Sequence, residues 1–173
     1  SQRPIICTSY VRRLLSGSVT EEEADYIHQY LQLGNSSYYN VLYVVLYNNF
    51  SDNAEAIPTD MDTPEELQGI VSTALKNFLG EPLYYFNSSD RTYSILLHCD
   101  EDDEKDFILK ISNAISRLHD YMLDTYDIWL FAGIGRNTDS LMNVWESYQQ
   151  SIEATSYMSK NYFFFPYEFI KKD

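Results

Sequence analysis

Leu83-Tyr84-Tyr85-Phe86-Asn87-Ser88-Ser89-Asp90-Arg91-Thr92-Tyr93-Ser94-Ile95-Leu96-Leu97-His98-Cys99 is the stretch on which the fold turns. Two short apolar and aromatic runs, Leu83 to Phe86 and Tyr93 to Cys99, enclose the polar tip Asn87 to Arg91. That pattern predicts a β-hairpin, with turn-forming residues at its tip. Helical patterns lie on both sides. Upstream, Thr63-Pro64-Glu65-Glu66 combines a capping box with Pro at the first helical position, and Leu67, Ile70, Val71, Ala74, Leu75 and Phe78 form a buried stripe that Gly80 ends. Downstream, the acidic run Asp100 to Asp106 leads into a long helix whose inner face is Phe107, Ile111, Ile115, Leu118 and Met122.

Beyond these helices the period changes again. Tyr39 to Tyr47 (YNVLYVVLY) is short, β-branched and nearly unbroken in its apolarity, as a strand buried on both faces should be. Asn48 to Asp62 reads as a polar loop. Asp127 to Gly133 predicts another buried strand. Leu141, Val144, Trp145, Tyr148, Ile152 and Thr155 predict a helix, and Asn161 to Ile170 a final strand. At the other end, Ile6, Tyr10, Val11, Leu14 and Leu15 fall at helical spacing up to Gly17. Thr20-Glu21-Glu22-Glu23 is a second capping box, opening a helix with Ala24, Ile27, Tyr30 and Leu31 that Gly34 stops. The order α-α-β-α-β-β-α-β-α-β predicts an α+β fold: a mixed sheet with a ferredoxin-like β-α-β-β-α-β core, extended by a helix and a strand and preceded by N-terminal helices. Residues 1–35 form the helical entry segment and 36–173 the α+β domain.

Composition narrows the function. The 173 residues carry 12 basic and 26 acidic side chains, a net charge of −14, so neither a nucleic acid nor an anionic membrane surface is an expected partner of this segment. Hydrophobic residues make up 45% and aromatics 16%, enough for a packed core without disulfides or metal. Between Arg13 and Lys76 there are ten carboxylates and no Lys or Arg. The two cysteines, Cys7 and Cys99, are far apart and fit free thiols in a reducing compartment. No apolar run reaches the length of a membrane span, and no signal peptide is visible.

Chemistry-bearing clusters are few. Asp100 to Asp106 lacks the Gly and Glu of a calcium loop, since Lys105 and Ile111 stand at those positions, and reads as an acidic helix start. His98-Cys99 would need two further zinc ligands, and His28, His119 and Cys7 show no ligand spacing. Gly133-x-Gly135 lacks the third glycine of a dinucleotide loop and reads as a tight exit from a strand. Trp129 and Trp145 sit at core spacing. No Ser-His-Asp arrangement stands out.

The element order and several motifs together resemble a degenerate GGDEF-like domain, related to the nucleotide cyclase fold, of the kind found in the middle of bacterial AraC-type transcription regulators. Ser147-Tyr148-Gln149-Gln150-Ser151-Ile152-Glu153-Ala154 is similar to that group's Ser-Tyr-x-Glu-Ala helix, and Ala132-Gly133-Ile134-Gly135-Arg136 to its strand-to-turn Gly-Ile-Gly. Tyr10-Val11-Arg12-Arg13-Leu14-Leu15-Ser16-Gly17 resembles its entry helix, and Pro166-Tyr167-Glu168-Phe169 its closing strand. The resemblance covers nearly the whole chain.

It also permits a test of activity. An active cyclase carries Gly-Gly-Asp-Glu-Phe at the hairpin tip and a metal-binding Asp at the end of its first strand. Here the tip matches as Ser89-Asp90-Arg91-Thr92-Tyr93, without either glycine or the Glu, and the strand end is Asn48-Asn49, without a carboxylate. Two Mg²⁺ ions and a triphosphate need several anionic ligands and cationic clamps. The resemblance therefore implies a cytoplasmic, non-catalytic domain that holds no cofactor or metal. It would relay a signal from an upstream sensor, in a parent that can be membrane-anchored, to a downstream helix-turn-helix pair. Its partners would be a second copy of itself and the flanking domains. The alternative is a small-molecule or nucleotide-sensing module using a cleft near Asn48, Ser88 and Asp90.

Overall fold

The computed structural model of the protein describes residues 3–47, 64–100, 104–159 and 161–170. Its centre is β1 (Tyr38–Tyr47), hydrogen-bonded on both sides. β3 (Thr92–Cys99) pairs antiparallel on one side, with Leu42 opposite Ile95. β4 (Trp129–Ile134) pairs antiparallel on the other, with Leu42 opposite Ile134. β2 (Tyr84–Ser89) forms the hairpin with β3, and β5 (Phe164–Pro166) adds in parallel to β4. The result is a mixed five-stranded sheet of order β2-β3-β1-β4-β5.

The helices are α1 (Arg3–Leu15), α2 (Glu21–Leu31), α3 (Pro64–Leu79), α4 (Glu104–Tyr126) and α5 (Val144–Thr155). The fold is thus α+β, and its elements follow the order expected from the sequence. The crossover β1-α3-β2 is split by β3, and β3-α4-β4 is split by β1, so the two units interlock.

Alternation along β1 divides the core. Leu42, Val44 and Leu46 face α3 and α4, where they meet Leu67, Val71, Leu75, Ile111, Ile115, Leu118 and Met122. Tyr39 and Val41 face the opposite layer, with Val11, Leu14, Ile27, Leu31 and Val144. Both faces are covered, which accounts for the unbroken apolarity of this strand. Helices α1 and α2 belong to that second layer and lie on the same sheet as the rest of the chain.

Several boundaries differ from expectation for local reasons. The strand expected from Asp127 begins at Trp129 because Asp127 adopts φ 56° and closes α4, with Asp127 N–H donating to Leu123 O and Ile128 N–H to Met122 O. Asp127 thus takes the left-handed conformation at a helix end that Gly more often supplies. The final strand is three residues, followed by a 3-10 turn at Tyr167–Phe169. Thr20 caps α2 by accepting from Glu23 N–H at 3.1 Å, and the Glu23 carboxylate, close to the Thr20 backbone, also takes two bonds from Arg13. Gly17, at φ +80°, ends α1 against Trp145, where a Cβ would stand 3.0 Å from the indole.

The stripe expected on α5 is rotated. Ile152 is 38% exposed, while Ser147, Ser151 and Ala154 are buried. The cause is Gly133 and Gly135: a Cβ on Gly133 would lie 2.3 Å from Ser151 O, and one on Gly135 2.1 Å from Ser147 O. These glycines let the α5 backbone rest directly on the sheet, where Ser147 Oγ accepts from Val41 N–H at 3.0 Å. The Gly-x-Gly pair is a helix seat rather than a turn.

Candidate functional site

The candidate site lies where β1 ends and the β2-β3 hairpin turns. Val45 stands opposite Thr92, and Tyr47 opposite Trp129, so the tip and the strand end share one edge of the sheet. Ser89, Asp90, Arg91, Thr92 and Tyr93 are therefore brought together there. Asn48 and Asn49 follow Tyr47 directly and lie outside the described residues.

The hairpin is tighter than expected. Pairing extends to Ser89 and resumes at Thr92, leaving only Asp90 and Arg91 between, with an irregularity between Asn87 and Ser89. Side chains explain the extension. Ser88 Oγ and Ser89 Oγ lie 2.5 and 2.9 Å from Thr92 Oγ1, Asn87 Nδ2 donates to Thr92 O at 3.4 Å, and Arg91 N–H donates to Ser89 Oγ at 3.2 Å. The polar groups of the tip are thus engaged with one another.

Arg91 is folded back onto the strand end. Its carbonyl accepts from Leu46 N–H at 3.0 Å, and its guanidinium lies 5.9 Å from the centre of the Tyr47 ring. Asp90 is exposed at the turn. Tyr93, at the aromatic position of the resembled signature, is fully buried, with its ring 5.7 Å from Tyr85. Burial pushes its phenol up to about 12, and nearby Asn87 opposes this only in part. Its hydroxyl meets no partner at hydrogen-bonding geometry.

This arrangement offers hydroxyls, one amide, one carboxylate and one stacked guanidinium. Among the described residues, no three His, Cys, Asp or Glu side chains gather closely enough to hold a metal ion, here or elsewhere. The other candidates are dispersed. His98 Nδ1 lies 3.0 Å from Ser36 Oγ, and burial pushes its imidazole below the ordinary value against the opposing charge of Asp100. His119 is buried, with Nδ1 2.9 Å from Leu130 O and its ring stacked 4.0 Å from Phe163. His28 meets Tyr39 edge-on, Cys99 is buried in the sheet, and Cys7 lies on α1. Trp129 stacks on Phe131, and Trp145 packs on Gly17. No described helix is long and apolar enough to cross a membrane.

Sequence reading alone missed the serines of α5. Their signal was present: two glycines two apart on a strand span about 6.6 Å, close to the rise of two serines four apart on a helix, about 6 Å. Compared with known proteins, the chain matches no family model, no curated protein and no solved structure, so the case for a function rests on the chemistry of the molecule itself.

Proposed function

We propose that this chain is a non-catalytic signal-relay and dimerisation domain of an AraC-type bacterial transcription regulator, built on a degenerate GGDEF-like core and working in the cytoplasm. It couples an upstream sensor to a downstream helix-turn-helix domain. The interlocked β-α-β-β-α-β order supports the reading, as does the meeting of the signature hairpin with the end of the first strand. The observation that carries the loss of catalysis is the hairpin tip. Ser88, Ser89 and Thr92 bond to one another, and Arg91 lies over Tyr47. A triphosphate with two metal ions would find one carboxylate, Asp90, on the tip.

The test is incubation of the chain with GTP and Mg²⁺, with nucleotide products separated by chromatography, alongside a DNA mobility-shift assay. Neither turnover nor a shift is expected. Formation of a cyclic dinucleotide, or sequence-specific DNA binding by these residues alone, would overturn the proposal. A melting-temperature rise of several degrees with GTP, without turnover, would instead favour nucleotide sensing near Ser88 and Asp90.

A further inference from the structure

The opposite end of the sheet, away from the hairpin, holds a cleft of about 700 Å³, within the size range of small-molecule sites. Tyr38 at the start of β1, the first turn of α4, the segment after β4 and the Tyr167–Phe169 turn surround it. No residue of the hairpin tip lines it.

The segment after β4 is held at four successive residues. Gly135 N–H donates to Val41 O at 3.0 Å, and Arg136 N–H to Gln150 Oε1 at 2.9 Å. Asn137 Oδ1 accepts from Asn40 Nδ2 at 2.6 Å, and Thr138 exchanges two backbone bonds with Tyr39, both 2.8 Å. Asn40 is completely buried, and its own Oδ1 has no partner. A buried amide with an unpaired acceptor is costly, so its position beneath the cleft wall calls for a reason beyond packing. The visible one is orientation: Asn137 passes the restraint on, its Nδ2 lying 3.4 Å from Glu104 Oε2.

On this fixed segment stands Arg136, exposed, with its guanidinium 5.2 Å from the centre of the buried Tyr167 ring. Such a stacked fork is suited to a carboxylate. Glu104 and Glu168 supply two carboxylates on the same cleft and Lys105 a second cation, and among the described residues neither the two acids nor Arg136 form an ion pair. A simple anion would meet these two acids, and a simple cation would meet Arg136 and Lys105. A molecule carrying both signs a few ångströms apart satisfies both.

We propose that this cleft binds a small zwitterion of the amino-acid class, its carboxylate on Arg136 and its ammonium group on Glu104 and Glu168, with Asn137 as a polar positioning group. Two acids and two bases line the cleft, so their charges balance and the zwitterionic head, not an extra charge on the side chain, is what it selects. The inference stands apart from the relay function, whose tests are turnover and DNA binding.

The experiment titrates the 173-residue chain with L-lysine, L-glutamate, Nα-acetyl-L-lysine amide and inorganic phosphate while following thermal unfolding, with amide NMR shifts as the second readout. Either amino acid at about tenfold above its Kd should raise Tm by about 3–5 °C and shift the amides of residues 135–138 and the α4 start. The blocked analogue and phosphate should have no effect. Arg136→Met and Glu168→Gln, both at exposed positions, should leave the unliganded Tm in place, and each should weaken binding about tenfold or more. No response to either amino acid, an equal response to the blocked analogue, a response to phosphate alone, or full binding by Arg136→Met would each overturn it.

Discussion

Gly135→Ala probes the seat of α5 directly. A Cβ there would lie 2.1 Å from Ser147 O and 2.3 Å from Ser147 Oγ, whereas ordinary contact begins at 3.4 Å. The nearest obstacle is backbone, so no rotamer change relieves it, and α5 must back away by about 1 Å. That movement stretches the bond from Val41 N–H to Ser147 Oγ, now 3.0 Å, beyond useful length and leaves a central-strand N–H unpaired in the core. Overpacking costs about 1–3 kcal/mol and an unsatisfied buried donor about 1–3 kcal/mol. The two share one displacement and overlap, so a loss of about 3–4 kcal/mol is expected. Urea unfolding followed by circular dichroism reads this as a midpoint lowered by about 1.5–2 M at an m-value near 2 kcal/mol/M. The m-value should be unchanged, because the unfolded chain is the same. A loss below about 0.5 kcal/mol would refute the argument, since it would mean that α5 does not rest on the sheet through this glycine.

Ser147→Ala should cost about 1–2 kcal/mol in the same assay, because it removes the acceptor of Val41 N–H; Ser151→Ala should stay within about 0.5 kcal/mol, because that hydroxyl only returns to Tyr148 O within its own helix. Tyr93→Phe should be neutral or slightly stabilising in denaturant titration, since it deletes a buried hydroxyl without a partner. The same phenol, raised to about 12, binds its proton more tightly folded than unfolded, so the stability it lends is complete below pH about 10 and is lost as pH rises from there toward 12. Alkaline unfolding followed by fluorescence should accordingly set in later for Tyr93→Phe. Arg13 beside Glu23 holds that carboxyl below its ordinary range, so this contribution is present above the ordinary carboxylate range and fades as pH falls through the lowered value. The pair is exposed, and Glu23→Gln should alter the acid limb of a pH–stability profile only slightly.

Much of the architecture was legible in the residues. The cap at Thr20, the Pro64 that opens α3, the apolar run of β1 and the turn residues between β2 and β3 each act locally, so their pattern survives in the sequence. What escaped was set by contacts between distant segments. Glu23 divides its carboxylate between the Thr20 backbone and Arg13, a charged partner ten residues away. Ile152 turns outward because Gly133 and Gly135 draw the serine face of α5 inward, overriding a helical stripe that reads correctly by hydrophobicity alone. One local feature also escaped: Asp127 ends a helix in the left-handed conformation, which Gly favours and Asp visits only occasionally. The hairpin residues were identifiable as a set, but their inward hydrogen bonding was not, because it depends on the bulge near Ser88. The opposite cleft draws on α4, β4 and the closing turn, which lie far apart in the chain.

The glycine-serine seat also bears on how the molecule can move. A helix separated from its sheet by ordinary side chains can slide or roll by repacking them. Here two carbonyls of α5 sit where side chains would otherwise stand, and a roll of one position would drive Tyr148 and Ile152 one way, or Glu146 and Gln150 the other, into a gap sized for no Cβ at all. α5 and β4 consequently travel as one rigid piece. Any conformational change in this protein has to bend around that piece, at the 3-10 turn Leu141–Asn143 or where Gly17 bears on Trp145, and a hinge engineered inside it should jam the motion rather than tune it.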